Sequence, residues 1–398
     1  MLKILIISPF FPYPPDSGGA IRIFNLLKHL SASHKITLLC YGEQEQEAYR
    51  RELLPYCELI TIPQKHQGRR WTYHARYLLS RLPYSLVYID TEFEKAVTAI
   101  CRRGFDLVQF EFLPLAHYVS RVPKSIKTVV VEHYVASESR ARLAKLLGPG
   151  LKKIYYGLDL LKIAMYEQRV LNQFHLCLVT SREDERKLLN RGIGSKIVLS
   201  PNGVDTNHFR PLDDTRLESG NHRNPSLVYM GAFHLEPANV DGLRYLLEHV
   251  LPPIERQIPG VKVEVMGKGL NGSFINSYPR RNVRFHGYVK DVRPILGRAH
   301  ALLLPLRGGS GTKIRVLTAM AMGVPVVATP IGAEGIEAEH NINILLGRTP
   351  ADLAGHCVRL LNDRELNENL GSAGRKLVED TYRWEKIAED LSRVYREL

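Results

Sequence analysis

The chain has 398 residues, of which 44% are hydrophobic, and this is enough for two domains of ordinary size, each with its own core. No apolar run approaches the roughly eighteen residues of a membrane span, and the apolar residues 2–7 lead into prolines, as a first strand would and a signal peptide would not. The five cysteines are odd in number and far apart, which argues against a disulfide framework or a zinc site and indicates a reducing cytoplasm.

Positive charge is concentrated in the N-terminal half of the chain. Residues 1–200 hold 29 Lys and Arg against 18 Asp and Glu, whereas residues 201–398 hold 25 against 23. Residues 64–81 have five cations, no acid and three interleaved aromatic residues, and residues 123–169 are also rich in cations and apolar residues. This composition suits an anionic membrane surface, with helices that are solvated on one face and packed on the other as an equally good interpretation. We do not expect a nucleic-acid partner.

The first elements predict the opening of a doubly wound parallel sheet. We expect a strand at residues 3–8, a loop with Gly18 and Gly19, a helix at residues 20–30 and a strand at residues 35–41. Ligands of such a sheet bind at the carboxyl ends of its strands. The loop lacks the Gly-x-Gly-x-x-Gly spacing, so it does not indicate a dinucleotide, and a plain turn with a helix cap is an equally good interpretation.

Among the remaining elements of the N-terminal half, the strand expected at residues 128–131 is the most informative, because Glu132 and His133 follow it at its carboxyl end. A histidine there can donate a hydrogen bond or a proton near neutral pH, and a structural histidine is the alternative. The other elements expected in this half are strands at residues 59–62, 105–110, 176–180 and 197–199, and helices at residues 71–82, 137–174 and 183–191, the last one capped by Ser181.

Alternating elements resume after the polar residues 213–225, which we interpret as a linker between a domain at residues 1–212 and one at residues 226–375. The closing residues 376–398 predict an amphipathic helix. The strands expected in the second domain are at residues 227–230, 262–266, 283–285, 301–306 and 324–328, and the helices are at residues 240–251, 292–298, 312–322 and 351–361.

Residues 301–335 combine a buried strand, a glycine-rich loop at residues 308–311 and a helix. The N–H groups of such a loop and of the following helix N-terminus attract phosphate. Lys313 and Arg315 fall in the expected first turn, where a cation opposes the helix dipole and is better explained by a bound anion than by helix stability. Solvated surface cations are the alternative.

Six segments in one order extend this pattern over nearly the whole chain. They are LKILIISPFFPYPPDSGGAIR at 2–22, VEHY at 131–134, SPNGVD at 200–205, YMGAFHLEPANVDGLRYL at 229–246, FHGYVKDVRPIL at 285–296 and GSGTKIRVLTAMAMGVPVVATPIGAEGI at 309–336. In this combination the chain resembles the GT-B glycosyltransferases, specifically the retaining family 4 and its sugar transferases of exopolysaccharide loci. The resemblance implies an α/β fold of two Rossmann-like domains facing a cleft, with the closing helix crossing back to the first domain.

The implied reaction transfers a sugar from a nucleoside diphosphate sugar, bound by the second domain, to a lipid-linked or polysaccharide acceptor held by the first. The configuration of the sugar is kept, and neither a metal nor a cofactor is expected. The implied place is the cytoplasm or, peripherally, the inner face of the plasma membrane. A nucleotide-sugar or glycan-binding protein without activity and a GT-B sugar-nucleotide epimerase are the alternatives.

The resemblance also assigns roles to residues of this sequence, with His133 acting at the reacting sugar. It places the donor diphosphate against Gly19, Gly309, Gly311, Thr312, Lys313 and Arg315, the ribose and sugar against Gly231, Ser310 and Thr318, the base against Gly287, Tyr288 and Val289, and the acceptor against Gly18, Gly19 and Arg22.

The chain departs from the family's pattern at two of these places and at Ala232. Family members often carry an arginine where Ala232 follows Gly231, and a signature pair of glutamates where this chain has Ser310 and Thr318. A neutral hydroxyl can bind one ribose hydroxyl, but without charge assistance. The departures therefore predict weaker ribose binding, a shifted donor or a loss of catalysis.

Overall fold

The computed structural model describes residues 1–64, 83, 89–145, 150–212, 225–234, 236–279 and 281–398. These residues form two compact units, one of residues 1–201 with 384–398 and one of residues 202–383. The helix expected at residues 71–82 and all but the last residue of the expected linker lie outside the described residues.

The described part of the first unit contains a parallel sheet of seven strands in the order β3-β2-β1-β4-β5-β6-β7. The chain leaves β1 in one direction to build β2 and β3 and returns to the other side of β1 for β4, which is the reversal of a doubly wound sheet. The strands are β1 (Lys3–Ser8), β2 (Lys35–Tyr41), β3 (Glu58–Ile62), β4 (Leu107–Glu111), β5 (Lys127–Glu132), β6 (Leu176–Val179) and β7 (Lys196–Leu199).

The helices of the first unit cover this sheet, and the closing helix of the chain is one of them. Its apolar face, which includes Trp384, Leu391 and Tyr395, packs into the same core as the first helix and the buried face of β1. The described α-helices are α1 (Gly18–Leu30), α2 (Arg50–Leu53), α3 (Thr91–Cys101), α4 (Ala136–Lys145), α5 (Leu151–Leu171), α6 (Arg182–Asn190) and α14 (Trp384–Arg396), with 3-10 turns at Gln44–Tyr49 and Leu113–Arg121.

The second unit has its own parallel sheet, with six described strands in the order β10-β9-β8-β11-β12-β13. The strands are β8 (Ser226–Met230), β9 (Lys262–Met266), β10 (Val283–Gly287), β11 (Ala301–Leu304), β12 (Val326–Ala328) and β13 (Leu345–Leu346). The α-helices are α7 (Pro237–Tyr245), α8 (Leu251–Gln257), α9 (Gly272–Asn276), α10 (Arg293–Leu296), α11 (Ile314–Ala321), α12 (Pro350–Asn362) and α13 (Arg364–Thr381), with a π-helical segment at Leu246–Val250.

The predicted fold class, two doubly wound parallel sheets with helices, is confirmed, and several boundaries were wrong. The helix expected at residues 240–251 is α7, the π-helical segment and α8, because the two prolines after Leu251 lack the N–H groups that a continuous α-helix needs. The helix expected at residues 312–322 begins at Ile314, since Lys313 has a ψ of 83°, which lies outside the range of helical backbone.

Three further features bear on the sequence-based expectations. The long helical region expected at residues 137–174 contains two helices, α4 and α5. All five cysteines are buried and unbridged. Among the described residues there is no helix with both the length and the apolar character of a membrane span.

Candidate active site

A buried His–Glu pair stands at the carboxyl edge of the first sheet. Because β4 and β5 are neighbours, Glu111 at the end of β4 lies beside His133, which follows β5. Nε2 of His133 is 2.7 Å from Oε2 of Glu111. The ring of Phe112 stacks on the imidazole with centroids 3.7 Å apart and an interplanar angle of 4°. One face of His133 is therefore covered and one ring nitrogen is already bound.

The charges of this pair are set by burial and by Arg22. Burial alone would raise the pKa of Glu111, but the hydrogen bond from His133, the charge of Arg22 and the amide of Gln109 hold that pKa below its ordinary value. Burial lowers the pKa of His133, an effect that Glu111 opposes and Arg22 adds to. Glu111 is therefore ionised and His133 neutral near pH 7. We assign the Nε2–H tautomer, which leaves the lone pair on Nδ1.

A chain of side chains reaches this pair from α14. The hydroxyl of Tyr395 donates to Oε1 of Gln109, and Nε2 of Gln109 donates to Oε1 of Glu111 at 2.6 Å. All three of these side chains are at most 3% exposed. The hydroxyl fixes which end of the Gln109 amide faces Glu111, and this keeps a donor on the carboxylate.

The predicted acceptor-side residues of α1 lie beside the same pair. A Cβ on Gly19 would sit 2.5 Å from the Phe112 ring, so the glycine lets α1 approach the ring that covers His133. Gly18 opens the helix after the Ser17 cap. Arg22 is fully buried and donates to Oγ of Ser200 and to a backbone carbonyl of the β7 exit, both at 2.8 Å. Arg22 thus anchors the loop after β7, and its contact with an acceptor stays a prediction.

Glu132, the neighbour of His133, is a buried carboxyl whose two oxygens have no hydrogen-bond partner among the described residues. Burial raises the pKa of Glu132 well above its ordinary value, and the nearby carboxylates of Glu167 and Asp184 raise it further. Glu167 itself accepts hydrogen bonds from Ser137 and Arg191. Glu132 is therefore the proton-carrying member of this acidic cluster.

Glu132→Gln is expected to remove a pH-dependent loss of stability. In the unfolded chain Glu132 releases its proton at about pH 4.3, whereas in the folded chain it keeps the proton to higher pH. The free energy of unfolding therefore falls as the pH rises from about 4.3 toward the pKa of Glu132 in the folded chain. The slope is at most about 1.4 kcal/mol per pH unit. Urea denaturation should show the variant gaining about 1–3 kcal/mol over the wild type between about pH 5 and pH 7.5. The exposed Glu183→Gln is the control. A gain independent of pH would show that Glu132 is ionised in the fold.

In the second unit, the predicted diphosphate loop is a tight turn whose carbonyls accept hydrogen bonds from Lys313. Gly309 and Gly311 have φ angles of 100° and 71°, which favour glycine. The Lys313 side chain is 5% exposed, and Nζ donates to the carbonyls of Ser310 and Gly311 at 2.7 and 2.9 Å. Nζ is also 3.6 Å from where a Cβ on Gly309 would lie. Lys313 is the N-cap residue of α11, and its charge lies inside the loop instead of in bulk solvent.

Arg315 ties this loop to the end of β8. Its guanidinium donates to the carbonyl of Met230 at 2.6 Å and to Oδ1 of Asn239 at 2.7 Å, and a Cβ on Gly231 would lie 3.3 Å from Nη1. The amide of Asn239 donates in turn to the carbonyl of Ala232 at 3.0 Å. The predicted residues Gly231 and Arg315 are therefore brought together, with Arg315 partly buried and serving the loop after β8.

Of the other predicted donor residues, Thr318 lies within α11 and Thr312 lies just before this helix. Thr318 is 7% exposed, and its hydroxyl donates to the Ile314 carbonyl one turn earlier. A Cβ on Gly335 would lie 2.6 Å from Oγ1 of Thr312, so the loop after β12 packs on the glycine loop.

The predicted base-binding residues lie at the end of β10, where Gly287 is the last residue of the strand and Tyr288 and Val289 follow it. Gly287 has a φ of 67°, and its carbonyl accepts from the N–H of Gly267 at 2.8 Å. Tyr288 is 62% exposed, and Val289 packs partly buried on the core of the second unit. Binding by these residues stays a prediction, as it does for the loop and for Thr318.

Sequence profiles of two families match the two parts of the chain. The family described as Glycosyltransferase Family 4 matches residues 17–208, and the one described as Glycosyl transferases group 1 matches residues 224–363. Both profiles cover the site residues of their unit. The chain is a GT-B glycosyltransferase of the family 4 type.

Two relatives of this glycosyltransferase are named for a cps region and for the transfer of mannose. An uncharacterized 44.6 kDa protein in the cps region of Klebsiella pneumoniae is 22% identical over 97% of the chain and 98% of that protein. A GDP-mannose-dependent alpha-(1-6)-phosphatidylinositol monomannoside mannosyltransferase of Mycobacterium tuberculosis is 29% identical over 50% of the chain and 56% of that protein. The second match thus spans only about half of the mannosyltransferase's length.

Solved structures share the fold over the full length. Sucrose-phosphate synthase from Thermosynechococcus elongatus has a TM-score of 0.73 at 19% identity and covers 100% of this chain and 99% of its own. HepE of Anabaena in complex with UDP and glucose has a TM-score of 0.69 at 14% identity, with 100% of both chains covered. At these identities the likeness concerns the GT-B fold alone.

Sequence reasoning missed the partners of the glycosyltransferase's most prominent side chains. Glu111 follows the strand expected at residues 105–110, so the carboxyl-edge reasoning that selected His133 also applied to it. Asn239 lies in the segment at 229–246 that supports the resemblance, but nothing in the pattern pairs it with Arg315.

The described residues contain no group of three or more His, Cys, Asp and Glu side chains suited to a metal ion.

Proposed function

We propose that this glycosyltransferase moves a sugar from a nucleoside diphosphate sugar to a lipid-linked or polysaccharide acceptor in cell-envelope or exopolysaccharide biosynthesis. The observation that carries the proposal is the glycine loop at residues 309–311, closed by Lys313 at the N-terminus of α11. The cps region relative supports the context. The mannosyltransferase, named for a GDP-mannose donor and a phosphatidylinositol mannoside, supports the donor class and a lipid-linked acceptor.

The loop supplies what a diphosphate needs. Backbone N–H groups at a helix N-terminus and the helix dipole favour an anion. The Lys313 ammonium lies at 5% exposure, where water screens its charge less than at an open surface. Its contacts with the Ser310 and Gly311 carbonyls hold the ammonium within the loop, beside the place that we propose for the diphosphate. We therefore expect the leaving diphosphate to be stabilised by protein groups without a metal, and transfer to be unchanged by EDTA.

The proposed reaction keeps the configuration of the transferred sugar. His133 is neutral, oriented by Glu111 and covered by Phe112, so its Nδ1 can accept a hydrogen bond from a sugar hydroxyl and position the donor. Proton NMR of the product reads the anomeric configuration directly. An inverted product would reject retention and assign His133 the role of a base for the acceptor hydroxyl.

Nucleotide titration tests the function as a whole. Isothermal titration calorimetry with UDP, GDP and their sugars is expected to show binding by one base class in the micromolar range, about 10⁻⁶–10⁻⁴ M. The lack of heat with every nucleotide up to about 10⁻³ M would overturn the proposal. Turnover of the sugar nucleotide without any acceptor would favour an epimerase instead.

A binding protein without activity is the second candidate, and Thr318 favours it. The hydroxyl of Thr318 donates to its own helix, and no carboxylate stands at the place that the family uses for the ribose. Thr318→Glu is expected to raise turnover by about tenfold with unchanged thermal stability, because a charge-assisted hydrogen bond to ribose replaces a neutral one. Turnover absent in both forms would support the binding protein.

A further inference from the structure

Helix α5 carries four large apolar side chains on its outer surface. Ile154, Leu158, Leu161 and Met165 are 62%, 57%, 59% and 55% exposed. At about 100° per residue their spacing of four, three and four places them within an arc of about 60°. We call these four residues the outer stripe. Single exposed apolar residues are ordinary, but a continuous stripe of four marks an interaction surface.

The acids of α5 are withdrawn from this surface. Asp159 is fully buried and lies 2.9 Å from the guanidinium of Arg140. Glu167 is 1% exposed and accepts hydrogen bonds from Arg191 and from Ser137. Both carboxylates therefore face the interior of the unit and are paired there. The outer surface of the helix presents no acid of its own.

Cations flank the stripe on both sides. By the same angular spacing Lys153 lies on one side of it, and Lys162 and Arg169 lie on the other. Lys153 and Arg169 are exposed, and Lys162 is partly buried. An apolar stripe bordered by lysine and arginine is the pattern of a helix that lies in the interface of an anionic membrane. The excess of cations over residues 1–200, 29 against 18 acids, has the same sign.

We infer that the outer stripe enters the headgroup and acyl boundary of an anionic membrane, with Lys153, Lys162 and Arg169 against lipid phosphates. A second copy of the chain fits this surface less well, because pairing two stripes about a twofold axis brings cations against cations with no exposed acid of α5 to meet them. The inference deepens the proposed function, since a lipid-linked acceptor would be presented at the same membrane surface.

Vesicle cosedimentation of the full chain tests the inference. The wild type is expected to pellet with vesicles of phosphatidylcholine and phosphatidylglycerol, to stay largely in solution with phosphatidylcholine alone, and to be released by salt. The double variant Leu158→Ser and Leu161→Ser should lose about tenfold or more in vesicle affinity, because burial of these two side chains is removed. Leu189→Ser on α6 is the matched control, since Leu189 is 56% exposed in the same unit.

Two further measurements separate this inference from its rivals. Charge reversal by Lys153→Glu with Arg169→Glu should also weaken binding to anionic vesicles, whereas calorimetric nucleotide affinity should be the same in all variants. Unchanged vesicle binding in the double variant, or no binding by the wild type, would overturn the inference and leave the donor site standing. A dimer in light scattering that the double variant dissociates would assign the stripe to a second copy.

Discussion

His133→Ala is expected to lower the rate of sugar transfer by about 10²–10³-fold while nucleotide affinity stays within about twofold. Glu111 orients the imidazole and Phe112 covers it, so the substitution removes the group that we propose to position the sugar. It leaves the second unit, where we expect the donor diphosphate, unchanged. Steady-state kinetics and calorimetry measure the two quantities separately. His249→Ala, at a 54% exposed position of the second unit, is the control. Equal losses in rate and nucleotide affinity would contradict the assignment.

The decrease of the transfer rate at low pH is expected to follow from the same pair, His133 and Glu111. Because burial lowers the pKa of His133, its active neutral form persists below the ordinary histidine value of about 6.5, and the transfer rate should fall only under that pH. Glu111→Gln removes the carboxylate that opposes this lowering, so the acid limb of the rate profile should move further toward acid while the rate drops. An acid limb above pH 7 would show that His133 is not the titrating group.

Lys313→Met is expected to weaken nucleoside diphosphate binding by about 10–100-fold, because a buried charge-assisted contact is worth about 1.5–3 kcal/mol. The side chain is 5% exposed and donates to two loop carbonyls, so the substitution also loosens the glycine loop. Lys313→Arg keeps the charge and is expected to recover part of the affinity. Lys262→Met, at an exposed position at the start of β9, is the control.

Calorimetric titration of these variants with the preferred nucleotide distinguishes charge from loop geometry. If binding depends on the charge, the arginine variant binds more tightly than the methionine variant even when their melting temperatures are alike. Wild-type affinity in Lys313→Met would contradict the placement of the diphosphate at the glycine loop.

The strands and the carboxyl edge of each sheet, where we propose the chemistry, could be predicted from the sequence. Buried parallel strands are short apolar runs, and glycines or polar residues after them mark the carboxyl edge, which is why His133 and the loop at residues 309–311 were expected there. Helix α13 was not predicted, because Gly371 and Gly374 inside it suggest a break. Gly374 instead allows close packing, since a Cβ there would lie 3.2 Å from the Met320 side chain.

The partners of the site residues could not be predicted, because they depend on three-dimensional neighbours. The sequence places Lys313 and Arg315 near the start of a helix. It does not show that Nζ of Lys313 contacts carbonyls of the glycine loop. Nor does it show that the guanidinium of Arg315 donates to Met230 and Asn239. In the same way, the sheet order brings Glu111 beside His133 from 22 positions away. The charge pattern of the sequence indicates whether a site binds anions or cations. Packing decides which atoms each charged group contacts.

A crystal structure of the full chain with its preferred nucleoside diphosphate sugar tests the donor site most directly. The phosphates are expected within hydrogen-bond distance, about 2.7–3.2 Å, of backbone N–H groups of residues 309–312, with the ammonium of Lys313 beside them. Phosphates bound at another edge of the second sheet, with the glycine loop empty and Lys313 still on its own carbonyls, would contradict the proposed site.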